Sequence, residues 1–185
     1  MTLDTRPIAL VGLRASGKTT LGRLLAERLA RVFVDLDEEV SREDAALRAT
    51  NDARTAGEIL ASAGEPYFRD LEERALERVL SRTDAIVLAT GGGVVERARN
   101  RLLLRTRARC VWLDVPVEEL QRRMRADSTV RPALLGRDAI AEVAEIAARR
   151  EPWFRELDAL RIEKVGALTA AVEVALARLG GSTRD

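Results

Sequence analysis

The sequence predicts an α/β fold in which a parallel sheet is covered by helices on both faces. Short apolar runs recur along the chain, amphipathic stretches separate them, and the runs lack the alternation of a half-exposed strand. Strands that are apolar on both faces are typical of parallel sheets, whose right-handed helical crossovers cover both sides. Ligands of such folds bind at the carboxyl ends of the strands, where we therefore expect the functional site.

Five apolar runs account for the strands. They are IALVGL at 8–13, VFVD at 32–35, AIVLA at 85–89, RCVWL at 109–113 and a weaker run at 159–162. The first helix is predicted over 19–30, where Leu21, Leu25 and Leu29 recur on one face. Helical stretches between the other runs complete the alternation.

Two segments depart from this alternation. Residues 38–81 are too many for one crossover helix, and the pattern breaks at Gly64 and restarts at Pro66. Residues 125–137 are polar and aperiodic, which predicts an exposed flap. A last helix is predicted over 167–179, with a flexible tail at 180–185. No repeat or linker divides the chain, so residues 1–185 are predicted to form a single domain.

The amino-acid composition argues against several kinds of partner and of catalytic chemistry. With 31 basic and 30 acidic residues the net charge is +1, which argues against nucleic-acid or acidic-membrane partners. The absence of histidine excludes histidine-based nucleophilic chemistry and histidine metal ligands. The single Cys110, and the lack of a leader or membrane-length apolar run, predict a cytoplasmic protein without disulfides. Its size makes a monomer the expected state.

The stretch GLRASGKT, from Gly12 to Thr19, matches the spacing of a phosphate-binding P-loop. In such loops backbone N–H groups and the helix N-terminus cradle phosphates, the lysine reaches the terminal phosphate, and the hydroxyl can ligate Mg²⁺. Lys18 is one of only two lysines in an arginine-rich chain. A chance match is the alternative, but the strand before the motif and the helix after it favour the P-loop.

Two aspartates end the second predicted strand in VDLD. Alternate residues of an extended chain share one side, so Asp35 and Asp37 are predicted to face the same ligand region. Asp35 is expected near the metal and Asp37 further out, towards a phosphoryl acceptor. The alternative is that the aspartates merely cap the following helix.

Three consecutive glycines, Gly91, Gly92 and Gly93, follow the third predicted strand. We expect their backbone to approach a second small ligand, because the P-loop already accounts for the nucleotide. A tight turn with positive φ is the alternative. Arg69 follows Pro66, and Arg149 and Arg150 precede a proline; each alone is typical of a helix surface.

Taken together, these motifs resemble the shikimate kinase family. The resemblance covers about residues 8–179 and rests on GLRASGKTTLGR, VDLDEEV, PYFRDLEE, VLATGGGVV, VRPALL and RREPWF, in this order. It implies a P-loop NTPase fold whose five-stranded sheet has the order 2-3-1-4-5, with 38–81 as the substrate-binding segment. It also implies transfer of the ATP γ-phosphoryl group to the 3-hydroxyl of shikimate, on the route to chorismate and aromatic amino acids.

The resemblance also implies roles for individual residues. Asp37 would hold the acceptor hydroxyl, Arg69 and Arg150 would clamp the shikimate carboxylate, and the three glycines would line the ring. Thr19 and Asp35 would order Mg²⁺ and its waters, and Glu72 would steady Arg69. The catalytic residues would be Lys18, Asp37 and the flap residue Arg131. ATP would contact Gly12, Ala15, Ser16, Gly17, Lys18, Thr19, Thr20, Arg123 and Arg131.

The sequence departs from the family pattern at two informative positions. Ala15 stands where the P-loop usually has another glycine. Met124 stands where an arginine usually stacks on adenine, which leaves open whether Arg123, Met124 or Arg125 contacts the base. Two rival functions also remain at this point: a kinase of the same fold acting on gluconate or a related hydroxy acid, and a binding module that senses its ligand without turnover.

Overall fold

A computed structural model describes residues 5–82, 84–126, 140–163 and 168–180. These residues form a five-stranded sheet flanked by helices. The strands are β1 (Ile8–Val11), β2 (Val32–Asp35), β3 (Ile86–Ala89), β4 (Arg109–Asp114) and β5 (Leu160–Glu163). The helices are α1 (Lys18–Leu29), α2 (Leu36–Leu47), α3 (Ala56–Leu80), α4 (Ala98–Arg107), α5 (Val117–Ala126), α6 (Val143–Arg155) and α7 (Leu168–Gly180). The five predicted strands are confirmed, within two residues at each end.

The sheet is parallel throughout, with the order β2-β3-β1-β4-β5. Ile8 of the central strand β1 lies opposite Val87 of β3 on one side and Arg109 of β4 on the other. This order confirms the topology implied by the family resemblance. It brings the carboxyl ends of β1, β2 and β3 together at one edge of the sheet.

Alternate strand residues pack into two separate cores. In β1, Ala9 and Val11 join the cluster beneath α2, α3 and α4, whereas Ile8 and Leu10 join the cluster beneath α1, α5 and α7. All four side chains are essentially excluded from solvent. The period of two in the strand thus explains why the apolar runs show no alternation, because each face has its own helical layer.

The predicted break in the segment 38–81 is present. Gly64 has φ 83° and ψ 165°, which interrupts α3 just before Pro66. The start of α3 is fixed by a capping box, in which Thr55 Oγ1 accepts a hydrogen bond from Glu58 N and Glu58 Oε2 accepts one from Thr55 N. The segment therefore consists of α2, a loop and a kinked α3.

A buried carboxylate ties the two helices of this segment together. Asp44 of α2 accepts hydrogen bonds from Arg48 Nε and Arg54 Nε, both at 2.9 Å, and from the Tyr67 hydroxyl of α3 at 3.1 Å. These donors, Arg54 first among them, outweigh burial and lower the pKa of Asp44 from 3.8 to about 2. Its contribution to stability is thus complete above pH 3.8 and is lost as the pH falls through 2.

None of the described helices is long and apolar enough to cross a lipid bilayer.

The predicted flap began too early in the chain. Residues 125 and 126 still belong to α5, whose amphipathic pattern continues to Ala126. The rest of the predicted flap, including Arg131, lies outside the described residues, as do residues 181–185 of the predicted tail.

Candidate active site

A cleft of about 1020 Å³ opens at the carboxyl edge of the sheet. The P-loop, the start of α2, the glycine loop after β3 and one side each of α3, α5 and α6 enclose it. The predicted site residues that line it are Ala15, Gly17, Lys18, Thr19, Thr20, Asp35, Asp37, Arg69, Gly91, Gly92, Gly93, Arg123 and Arg150. The fold therefore assembles residues from five separate motifs in one cavity.

Two glycines shape the P-loop. Gly12 has φ 143°, and a Cβ at this position would lie 2.7 Å from the carbonyl oxygen of Leu113. Gly17 has φ 96° and immediately precedes α1. Both positions require a residue without a side chain, which lets the loop turn back over the N-terminus of α1. Gly12 and Ser16 themselves are buried beneath the cleft surface.

Lys18 is held by the loop that precedes it. Its ammonium group donates to the carbonyl oxygens of Gly12 at 3.0 Å and Leu13 at 2.7 Å, and to Ser16 Oγ at 3.3 Å. The residue is only 8% exposed. The loop backbone thus fixes the position of the cation at the floor of the cleft, where an anionic ligand can reach it.

The departure from the family pattern at Ala15 has a structural consequence. Ala15 adopts φ 59°, in the left-handed region that disfavours residues with a Cβ.

Arg123 contacts the same part of the loop. Its Nη1 lies 3.3 Å from Ala15 O and 3.2 Å from Ser16 O. Met124 instead packs against the core, and Arg125 is exposed. Of these three residues, Arg123 alone lines the cleft among the described residues.

Asp35 links the P-loop to α2. Its Oδ2 accepts a hydrogen bond from the Thr19 hydroxyl at 3.1 Å, and its Oδ1 accepts one from Asp37 N at 3.1 Å. Asp35 is thereby the N-cap of α2, and Asp37 lies in the first helical turn. The expectation that both aspartates extend from one side of a strand was wrong, because the strand ends at Asp35. Both still reach the cleft, and Thr19 and Asp35 offer the oxygen donors that suit Mg²⁺ with retained waters.

Arg69 and Glu72 form a buried ion pair one helical turn apart in α3. Arg69 Nη1 donates to Glu72 Oε2 at 2.9 Å, and the two residues are 7% and 1% exposed. Burial raises the pKa of Glu72 to about 7, against the opposing effect of Arg69. The other oxygen, Oε1, has no hydrogen-bond partner among the described residues. The structure thus contains the Arg69–Glu72 contact that the resemblance implied.

Glu96 connects Arg69 and Arg150, and no motif in the sequence pointed to it. It ends the short 3₁₀ helix Val94–Glu96 that follows the glycine loop. Its Oε1 accepts hydrogen bonds from Arg150 Nε at 3.0 Å and Nη2 at 2.7 Å, and its Oε2 lies 3.3 Å from Arg69 Nε. The pKa of Glu96 is lowered, because Arg150, Arg69 and Arg149 outweigh the effect of burial. Only the fold brings these distant residues together.

Arg149 and Arg150 occupy different environments. Arg150 is 3% exposed and also donates to Gly92 O at 3.1 Å, whereas the Arg149 side chain is 43% exposed. Burial, together with repulsion from Arg69 and Arg149, lowers the pKa of Arg150 against the attraction of Glu96. Arg150 is therefore the arginine of this pair that faces the cleft.

The glycine loop is crowded by the protein itself. A Cβ at Gly91 would lie 2.8 Å from Glu72 Oε1, one at Gly92 would lie 3.0 Å from Arg14 N, and one at Gly93 would overlap the Arg69 guanidinium. The positive-φ alternative was wrong, since Gly93 has φ −100° and neither Gly91 nor Gly92 is among the glycines with positive φ. That a ligand also presses against these three glycines stays a prediction.

Comparison with known proteins identifies the family. A family model described as shikimate kinase matches residues 14–179. The chain belongs to the shikimate kinase family. A shikimate kinase from Nitrobacter winogradskyi is 42% identical over 156 residues, which is 84% of this chain and 68% of that protein. A structure of shikimate kinase from Acinetobacter baumannii in complex with shikimate has 34% identity and a TM-score of 0.82, covering 98% of this chain and 97% of the other.

Shikimate kinases are ATP-dependent enzymes, and membership in the family therefore confirms the predicted enzyme class. A gluconokinase from Sinorhizobium meliloti shares the fold, with 16% identity and a TM-score of 0.57, covering 95% of this chain and 92% of the other. This second likeness concerns the architecture alone. A shared fold does not determine the acceptor, which depends on the residues of the site.

Proposed function

We propose that this protein transfers the γ-phosphoryl group of ATP to the 3-hydroxyl of shikimate, giving shikimate 3-phosphate and ADP for chorismate and aromatic amino-acid synthesis. The observation that carries the proposal is the single cleft in which Lys18, Asp37, Arg69 and Arg150 lie together. A phosphate-binding loop at one end and a buried arginine pair at the other suit a polyanionic donor and a carboxylate-bearing acceptor. Membership in the shikimate kinase family supports this assignment.

At the donor end, the P-loop N–H groups and Lys18 bind the ATP phosphates. Phosphoryl transfer passes through a loose transition state, so positioning and charge neutralisation supply most of the catalysis. Thr19 and Asp35 would hold Mg²⁺ and its waters, because Thr19 Oγ1 and Asp35 Oδ2 lie 3.1 Å apart beside the loop. The cation, when bound, neutralises charge on the donor phosphates.

At the acceptor end, Asp37 orients the 3-hydroxyl and accepts its proton as the new O–P bond forms and the γ-phosphoryl group leaves ADP. Arg69 and Arg150 bind the shikimate carboxylate, since each guanidinium presents a planar fork of donors. Gly91, Gly92 and Gly93 place the backbone beside the ring. Glu72 positions Arg69 through their 2.9 Å hydrogen bond.

Two further residues complete the assignment. Arg123, already hydrogen-bonded to the P-loop, is placed to contact the nucleotide. Arg131 would close over the phosphates and exclude water, which otherwise competes as the acceptor. If so, Arg131→Ala lowers kcat much more than it weakens shikimate binding, and equal losses in both would contradict that role. We also propose that the enzyme works as a cytoplasmic monomer with one kinase domain.

ADP release with Mg²⁺ and ATP tests the function directly. We would compare shikimate with gluconate, quinate and no acceptor, using the same enzyme preparation. Release that depends on shikimate supports the proposal. Turnover of gluconate instead would assign the protein to the rival acceptor, and thermal stabilisation by shikimate without ADP release would make it a binding module.

A further inference from the structure

Glu96 is a partly buried carboxylate without an assigned role at the centre of the arginine pair. Its side chain is 17% exposed, and its two oxygens contact Arg150 and Arg69 at 2.7 Å and 3.3 Å. It does not line the main cleft but lies in a smaller groove, which it shares with Arg69 and Arg149. The carboxylate therefore contacts the arginines from the side away from the main cleft.

The geometry leaves the arginines available for a ligand. Glu96 Oε1 engages the Nε and Nη2 atoms of Arg150, while Nη1 of the same side chain donates to Gly92 O. Since each terminal nitrogen carries two protons, the Nη1 and Nη2 atoms each keep a donor. Arg69 likewise uses one proton of Nη1 for Glu72 and one of Nη2 for Glu65. Both guanidiniums are thus oriented without being saturated.

The electrostatics require such a partner. Arg69 and Arg150 are 7% and 3% exposed, and two buried guanidiniums repel each other wherever water cannot screen them. Removing one partner of a buried charge pair leaves the other charge uncompensated, which is strongly unfavourable. Glu96 supplies this compensation before any acceptor has bound.

From these contacts we infer that Glu96 is a positioning residue for the acceptor: it holds Arg69 and Arg150 together, with their free donors directed towards the substrate carboxylate. The inference rests on the proposed function. It deepens that function by naming the group that preorganises the clamp. Because Glu96 lies in the smaller groove and not in the nucleotide end of the cleft, its effect is confined to the acceptor.

The test is the kinetics of Glu96→Gln, with Glu65→Gln as the matched control. Both substitutions remove one carboxylate from Arg69, but the Glu65 side chain is 42% exposed and its ion pair contributes little. We expect Glu96→Gln to raise KM for shikimate about tenfold or more, and Glu65→Gln to change it by less than about threefold. KM for ATP should stay within about twofold in both variants, because neither residue contacts the P-loop.

Three results would overturn the inference: equal effects of the two substitutions, tighter shikimate binding by Glu96→Gln, or a parallel loss of ATP affinity. If Glu96→Gln does not fold, Glu96→Asp replaces it. This variant keeps the charge but shortens the side chain, and it should raise KM for shikimate without changing KM for ATP. The wild-type assay separates the two claims. Absence of shikimate-dependent ADP release by the wild type removes the proposed function and this inference together, whereas an active wild type with an unaffected Glu96→Gln removes the inference alone.

Discussion

The two ends of the cleft are built in different ways. The nucleotide end is made largely of backbone: Gly12 and Gly17 turn the P-loop, and loop carbonyls hold Lys18. The acceptor end is made of side chains, in which the buried Glu72 and the partly buried Glu96 hold the buried Arg69 and Arg150. A local sequence pattern can encode the first arrangement, whereas the second depends on residues that only the tertiary fold brings together.

The largest expected effect lies where the two ends meet, at Asp37. Asp37→Asn keeps the size of the side chain but removes the proton acceptor, so we expect kcat to fall by about 100-fold to 10,000-fold. Shikimate affinity should change by less than about threefold, because the arginine pair is intact. Steady-state kinetics and calorimetry of shikimate binding measure the two quantities. A kcat near the wild-type value would show that Asp37 does not act on the acceptor hydroxyl.

The next largest effect is expected from a substitution in the glycine loop at the acceptor end. A methyl group at residue 93 would lie 2.6 Å from Arg69 Cζ, so Gly93→Ala should displace the guanidinium and raise KM for shikimate about tenfold to 100-fold, or roughly 1.4 to 2.8 kcal/mol. Gly64→Ala is the control, because its φ of 83° imposes strain while its nearest neighbour, Pro66 Cδ, is 3.8 Å away. This control should lower stability and leave KM unchanged. A KM in Gly93→Ala like that of the control would contradict the reason given for this glycine.

A smaller effect should appear in the pH dependence of shikimate binding. The pKa of Glu72 is raised to about 7, so the carboxyl group is largely neutral at pH 6 and charged at pH 8. Charged Glu72 holds the Arg69 guanidinium through their ion pair more firmly than neutral Glu72 does, and shikimate affinity should therefore rise by about threefold to tenfold as the pH rises across this range. Folding stability should also decrease as the pH rises from 4.5 through 7, since a raised carboxyl pKa favours the neutral form in the folded state.

Calorimetric titrations of shikimate at pH 6 and pH 8 measure this dependence. The Glu72→Gln variant, which cannot ionise, should bind shikimate with nearly the same affinity at both values. An unchanged pH dependence in this variant would assign the titration to another group.

The smallest effect is expected at the nucleotide end. Ala15 and Ala30 both have left-handed backbone angles, with φ 59° and 51°, but only Ala15 lies in the P-loop. Glycine at either position should relieve strain and raise the free energy of unfolding by about 0.5 to 1 kcal/mol. Urea denaturation of Ala15→Gly and Ala30→Gly tests this, with Ala30→Gly as the control for any change in KM for ATP. Destabilisation of Ala15→Gly alone would mean that the alanine makes contacts that outweigh its strain.

The contrast between the two ends also explains what the sequence could predict. The strands were predictable because each has apolar residues on both faces, and the P-loop because its spacing has a local mechanism. The position of Asp37 was predictable, but its geometry was not, since α2 begins at Leu36, two residues earlier than an extended strand reaching Asp37 would allow. Glu96 was missed because its partners Arg69 and Arg150 are 27 and 54 residues away in the chain, and no spacing rule joins them.

The difference between the two ends of the cleft is tested most directly by measuring the binding of both ligands to one variant from each end. Calorimetry would titrate shikimate, and separately a non-hydrolysable ATP analogue with Mg²⁺, into Lys18→Met and Arg150→Met. We expect opposite losses: Lys18→Met binds the nucleotide weakly and shikimate normally, and Arg150→Met binds shikimate weakly and the nucleotide normally. Normal shikimate binding by Arg150→Met, or equal losses of both ligands in both variants, would contradict the division of the cleft into a backbone-built nucleotide end and an arginine-built acceptor end.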